Sequence, residues 1–222
     1  MNLSQLIERF RSASNDKVEP YFWSDEEVTL WLNDAEAEAS IRGRLIHESS
    51  SATVCKVITT AGQSQCDLHE SLYELTHISW SADGQYNNHL IKLTSTEVLD
   101  CELNNWRELT GTPRYAVQDD KTVRLVPSPD TDGTLSVEGF RIPVSPMLLT
   151  SDAPEINHAH HRHLVQWALY VGFSIPDAEM FDQSRAEIAK QEFEKYFGLQ
   201  VDSDMRRKTR HDTPHHVKAF FV

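Results

Sequence analysis

The stretch Phe22-Trp23-Ser24-Asp25-Glu26-Glu27-Val28 opens a helix that the rest of the chain must accommodate. Ser24 and Glu27 stand at capping-box spacing: the hydroxyl accepts from the Glu27 amide, and the carboxylate reaches back to the Ser24 amide. Trp23 and Val28 hold the two positions of a hydrophobic staple, which sets the angle at which the chain enters the helix. Behind this start, Val28, Trp31, Leu32, Ala35 and Ala39 recur at three- and four-residue spacing as far as about Arg44, while Asp34, Glu36 and Glu38 fall off that stripe. Ala35, Ala37 and Ala39 are small enough to admit another helix. An apolar stripe cannot bury itself, and partners are on offer only at the two ends of the chain, Leu3 to Phe10 and Asn157 to Phe197. The expectation is an α+β protein: a helical bundle formed by the N- and C-terminal helices, an inserted antiparallel β-sandwich or barrel, and an extended C-terminal tail.

The expected divisions are residues 1–48 for the first helices, 49–150 for the β-rich insertion, 151–198 for the returning helices and 199–222 for the tail. Within the insertion, Ala52 to Thr59, Leu72 to Trp80, His89 to Leu93, Tyr115 to Gln118, Val123 to Val126 and Leu135 to Ile142 read as strands. Ser81 to Asn88 has turn chemistry and forms a hairpin tip. Thr94 and Glu97 repeat the capping-box spacing and open a short helix, Ser95 to Leu103. In the second helical block Leu164, Trp167, Ala168, Val171 and Ile175 share a face. Asp182 then caps a last helix through Ala186, Ala189, Phe193 and Phe197, stopped by Gly198.

Charge narrows the function. The 21 basic and 34 acidic residues give a formal charge of −13, the wrong sign for a folded body that grips DNA. Residues 199–222 differ, with five basic against three acidic residues, a net of +2 that leaves −15 on residues 1–198. Arg206, Arg207, Lys208 and Arg210, followed by Phe220, Phe221 and Val222, suit an acidic protein groove or a phosphate backbone, the protein groove being favoured. No apolar run reaches bilayer length and no leader pattern opens the chain, so a soluble protein made in the cytoplasm is expected. Cys55, Cys66 and Cys101 lack metal-ligand spacing and read as buried free thiols.

Few residues invite chemistry. In His158-Ala159-His160-His161-Arg162-His163 the pairs 158/161 and 160/163 are three apart and could share a transition metal if a further ligand joined them; the alternative is a solvated first helical turn. Asp119-Asp120 and Asp130-Thr131-Asp132-Gly133 match a Ca²⁺ loop only in part, lacking the later bidentate Glu, and read as hairpin turns. Nucleophile-elbow, phosphate-loop and H-E-x-x-H motifs are absent, and 8 glycines leave little for phosphate-cradling loops. Trp23, Trp31, Trp80, Trp106 and Trp167 fit core or interface anchors better than a base-stacking platform. No catalytic residue, cofactor or metal is expected.

Four stretches, Y-F-W-S-D-E-E-V-x-x-W-L-N-D-A at 21–35, T-G-T-P-R-Y-A-V at 110–117, L-V-P-S-P-D-x-D-G-T-L at 125–135 and W-A-L-Y to E-F-E-K-Y-F-G across 167–198, resemble tailed-phage head-to-tail adaptor proteins of the podovirus tail-tubular or gatekeeper type. The resemblance implies a virion protein that forms a ring, typically of twelve subunits, under the portal. It prolongs the DNA channel without binding DNA specifically and docks the tail or nozzle proteins, with no membrane involved. It supplies no catalytic residues. On this reading Arg206, Arg207, Lys208, Arg210, Phe220, Phe221 and Val222 contact portal or a neighbouring subunit, and the hairpin residues Asp83, Gly84, Tyr86 and Asn87 face the tail. A monomeric tail-assembly stopper or chaperone and a histidine-cluster metal protein are the alternatives.

Overall fold

The computed structural model describes residues 1–84, 88–176 and 179–200. Among these it is a mixed α+β chain with six helices and two sheets. The chain divides into two compact units, one holding Met1–Ser49, Ser71–Glu74 and Gly139–Gln200, the other Ser50–Glu70 and Leu75–Glu138.

The first unit is built on α1 (Leu3–Ser14), α2 (Asp25–Gly43), α5 (His161–Ser174) and α6 (Gln183–Phe197). α2 starts as its residues dictate: Ser24 Oγ accepts from the Glu27 amide at 3.2 Å, and Glu27 Oε2 accepts from the Ser24 amide at 2.9 Å. Trp23 and Val28, the staple pair, are both buried. α1 has a capping box that the sequence reading missed, in which Asn2 and Gln5 exchange the same two bonds. α6 follows its pattern: Asp182 caps the Arg185 amide, Ala186, Ala189, Phe193 and Phe197 are buried, and Gly198 closes the helix with φ of 96°. One apolar core joins all four helices. Phe10, Trp23, Trp31 and Phe173 meet there with ring centroids 5.4 to 6.2 Å apart, mostly edge to face.

The buried stripe of α5 departs from expectation. It runs through Leu164, Val165, Ala168, Leu169, Gly172 and Phe173, with Trp167 and Val171 half-buried at its side. The reason is crowding, since α1, α2 and α6 all contact α5 and cover more than one helical stripe. Trp167 packs on Phe193 at 5.0 Å.

The β-strands form two open sheets. β1 (His47–Glu48), β9 (Gly133–Arg141), β4 (Leu72–Ala82) and β5 (His89–Leu90) follow one another in one sheet, with β2 (Lys56–Thr59) also on β9. The other runs β3 (Gln65–Asp67), β8 (Thr122–Val126), β7 (Tyr115–Gln118), β6 (Lys92–Leu93). Neither closes into a barrel among the described residues. Nor are they wholly antiparallel: β6 pairs parallel with β7. α4 (Thr96–Glu102) and a 3₁₀ turn at Trp106–Glu108 fill the connection between those strands, and such a crossover returns the chain in its original direction. His89 to Leu93 is also two strands, because the chain leaves β4 after Leu90 and joins the second sheet at Lys92.

Three local expectations fail for identifiable reasons. Ala52 to Cys55 is one helical turn, α3, that buries Val54 and Cys55, and only Lys56 onward is strand; a short apolar run does not distinguish the two. Ser95, not Thr94, holds the N-cap position of α4 and makes no side-chain cap bond there, while the Thr94 amide donates to the Ala116 carbonyl at 2.9 Å, holding Thr94 in extended pairing. Cys55 and Cys66 are buried, and burial together with Asp67 pushes the Cys66 thiol up to about 11. Cys101 is exposed, lying two residues and more than half a turn from Leu99, the buried residue of α4.

Candidate assembly surface

In the helical unit, short polar anchors fix two connecting segments and leave apolar side chains pointing outward. The first segment joins α1 to α2. The Arg11 guanidinium donates to Asp16 at 2.5 Å, to the Trp23 carbonyl at 2.7 Å and to Asp25 at 2.6 Å, and lies 3.9 Å over the Tyr21 ring. Asp16 in turn accepts from the Phe22 and Trp23 amides. Arg11 and Asp16 are both buried, so the pair fixes the entry to α2 at the expense of desolvation. Val18, Tyr21 and Phe22 remain exposed on the segment so held.

The second segment precedes α5. Asn33 on α2 exchanges two hydrogen bonds with the Met147 backbone, at 2.8 and 3.1 Å. Asp152 accepts from the Leu148 and Leu149 amides, which hold its carboxyl below the usual carboxylate range. The Asp152 and Thr150 carbonyls accept from the Leu3 and Ser4 amides at the start of α1. Every polar group named here fixes backbone, yet Leu148 and Leu149 are left 76% and 65% exposed. Leu30 on α2, 60% exposed, and Leu148 line the same open cleft of about 470 Å³. Leu3, Ile7 and Pro146 complete its apolar side, and Asp25 and Glu26 also line it.

Glu36 is the residue that the sequence reading misplaced. It lies on the buried side of α2, 2% exposed, where Oε1 accepts from the Glu155 amide at 2.5 Å and the Ile156 amide at 3.3 Å. Burial raises its carboxyl to about 7, against the lowering effect of those two bonds. Pro154 before a buried Ile156 was the available signal, since a turn entering the core carries amides that need an acceptor.

The histidine cluster does not converge. His161 is buried, with Nε2 2.9 Å from the Ile156 carbonyl and Nδ1 2.9 Å from the Met1 amino group, whereas His158 is exposed and precedes the helix. The 158/161 pair therefore has one member committed to the interior. His163 stacks on Tyr196 at 3.5 Å and accepts from Arg162; burial, with Arg162, His160 and Arg9 nearby, lowers its pKa. His160 bonds the Tyr196 hydroxyl at 3.1 Å. Among the described residues no three of His, Cys, Asp and Glu group as metal ligands.

In the β-rich unit, Asp83 and Gly84 are exposed at the turn between β4 and β5, with the Asp83 amide donating to the Asp132 carbonyl. Asp132 accepts from the Ala61 amide, so this part of the Asp130 to Gly133 turn bonds backbone. Tyr86, Asn87, Arg206, Arg207, Lys208, Arg210, Phe220, Phe221 and Val222 lie outside the described residues. No described helix is long and apolar enough to cross a membrane.

Two comparisons bear on what such a surface serves. No curated protein matches the chain. The family model of the SU10 adaptor protein matches residues 1–217, nearly the whole of the 222-residue sequence. The chain therefore belongs to the SU10 adaptor protein family, and is a phage head-to-tail adaptor.

Proposed function

We propose that the protein forms a ring beneath the portal, of twelve copies as the resemblance implies, which prolongs the DNA channel and docks the tail. The family match over residues 1–217 carries this reading. An adaptor of this family is a virion component that interacts with portal and tail components. Its work is structural, done through surfaces, and the exposed leucines held on fixed backbone suit that work. Head-to-tail contacts about a rotation axis close a ring without any special site. With a formal charge of −13, the wall of such a channel repels DNA phosphates and lets the genome slide.

Residues 1–48 and 151–198 form the bundle in this proposal, and 49–150 a sandwich-like insertion of the podovirus tail-tubular or gatekeeper kind. Arg206, Arg207, Lys208, Arg210, Phe220, Phe221 and Val222 contact portal or a neighbouring copy. Asp83, Gly84, Tyr86 and Asn87 face tail or nozzle proteins. Native mass spectrometry of the protein, alone and mixed with its cognate portal, tests the assembly. A ring-sized multiple joined to portal is expected; a single subunit that ignores portal would refute the proposal.

A further inference from the structure

The cleft lined by Leu30 and Leu148 needs an occupant of particular chemistry. Its apolar side includes Ile7, Leu30, Pro146 and Leu148; among the described residues no cation lines it, Asp25 in its lining is already ion-paired with Arg11 at 2.6 Å, and Glu26 supplies the carboxylate beside the apolar side. Leu148 is fixed there by Asp152 and Asn33, so the surface is preformed and little ordering opposes a ligand. At about 470 Å³ the cleft falls within the range of ordinary ligand sites, roughly 300–1,000 Å³. It suits a short segment that pairs aromatic anchors with a cation.

The chain itself carries such a segment in Lys218-Ala219-Phe220-Phe221-Val222. Seventeen residues lie between Gln200 and Lys218, and the eighteen steps at about 3.3 Å each span at most roughly 60 Å, enough to reach another copy. We propose that residues 218–222 of one copy dock in the Leu30/Leu148 cleft of a second, with Phe220 and Phe221 on the apolar side and Lys218 at Glu26. Each copy then gives and receives one segment, a head-to-tail contact that repeats around a ring. The inference rests on the ring proposed above and names a contact that joins its subunits.

The test places the photo-crosslinker p-benzoylphenylalanine at position 148 of the full chain. Isotope-labelled and unlabelled copies are mixed with portal, irradiated, and read by peptide mass, while native mass spectrometry reports assembly. Crosslinks between copies to a peptide containing 218–222 are expected. Replacing Phe220→Ala together with Phe221→Ala should lower their yield about tenfold, as loss of anchoring aromatics does. Ring-sized assemblies whose crosslinks lie within one copy, on other segments or on portal would overturn this inference and leave the ring standing. A subunit that stays single with portal would overturn both.

Discussion

Glu36→Gln should stabilise the protein at pH 8 and leave it unchanged near pH 4.5. Glu36 is 2% exposed and titrates at about 7 in the fold, against an ordinary 4.5. A carboxyl raised by folding contributes fully below its unfolded value, and that contribution is lost as pH rises through 4.5 to about 7. At about 1.4 kcal/mol per pH unit, the displacement is worth about 3 kcal/mol. Glutamine keeps an oxygen for the Glu155 and Ile156 amides and never charges, so it removes this loss. His163 works in the opposite sense: its lowered pKa gives stability that is present above 6.5 and lost as pH falls. Absolute stability therefore mixes the two effects, and the quantity to measure is the difference between wild type and variant. Urea unfolding at pH 4.5, 6 and 8, with hydrogen exchange at the Glu155 and Ile156 amides, would follow it. The variant's advantage should grow to about 3 kcal/mol by pH 8. An advantage that does not change with pH would refute the reasoning. Glu36→Ala is the complementary control: it strips two amides of their acceptor, a loss of about 2 kcal/mol or more at pH 4.5, but it cannot charge either, so its deficit against wild type should shrink by about 3 kcal/mol by pH 8.

Three further substitutions test the scaffold. Gly133→Ala would put a Cβ 2.5 Å from the Ser81 carbonyl oxygen and 2.7 Å from the Trp80 ring, and a loss of about 3 kcal/mol is expected in thermal unfolding. Arg11→Met strips Asp16 of its buried counter-charge and should cost about 3 kcal/mol; unfolding within about 0.5 kcal/mol of wild type would dismiss the pair as an anchor. Ser24→Ala removes the α2 cap, for which circular dichroism during urea titration should register about 1 kcal/mol.

Features written in adjacent residues were the readable ones. The α2 capping box, the α6 cap and stop, and the antiparallel β7 and β8 strands around Asp119 to Lys121 each need only a few neighbours, and the structure contains them. What escaped depends on partners distant in sequence. Glu36 falls off the apolar stripe by spacing, and only amides 119 and 120 residues away make its burial tolerable. β1 and β3 are two and three residues long, too short to show alternation, and exist because β9 and β8 offer them edges. The two prepared leucines were equally hidden: nothing local in Leu148-Leu149 says that Asn33, 114 residues from Met147, holds their backbone in place.

Several polar contacts in the helical unit serve the backbone between helices. Arg11 with Asp16, Asn33 with Met147, Glu36 with Glu155 and Asp152 with Leu148 all end on chain segments between helices. Each secures a connecting segment, and on two of those segments Tyr21, Phe22, Leu148 and Leu149 are left exposed beside the anchored backbone. Association requires that interface loops be ordered, and ordering during assembly subtracts about 0.5–1.5 kcal/mol for each immobilised side chain. A segment already fixed in the free subunit avoids part of that loss at every contact. In the ring proposed above the saving would recur at each interface, so modest prepared surfaces would suffice to hold subunits together.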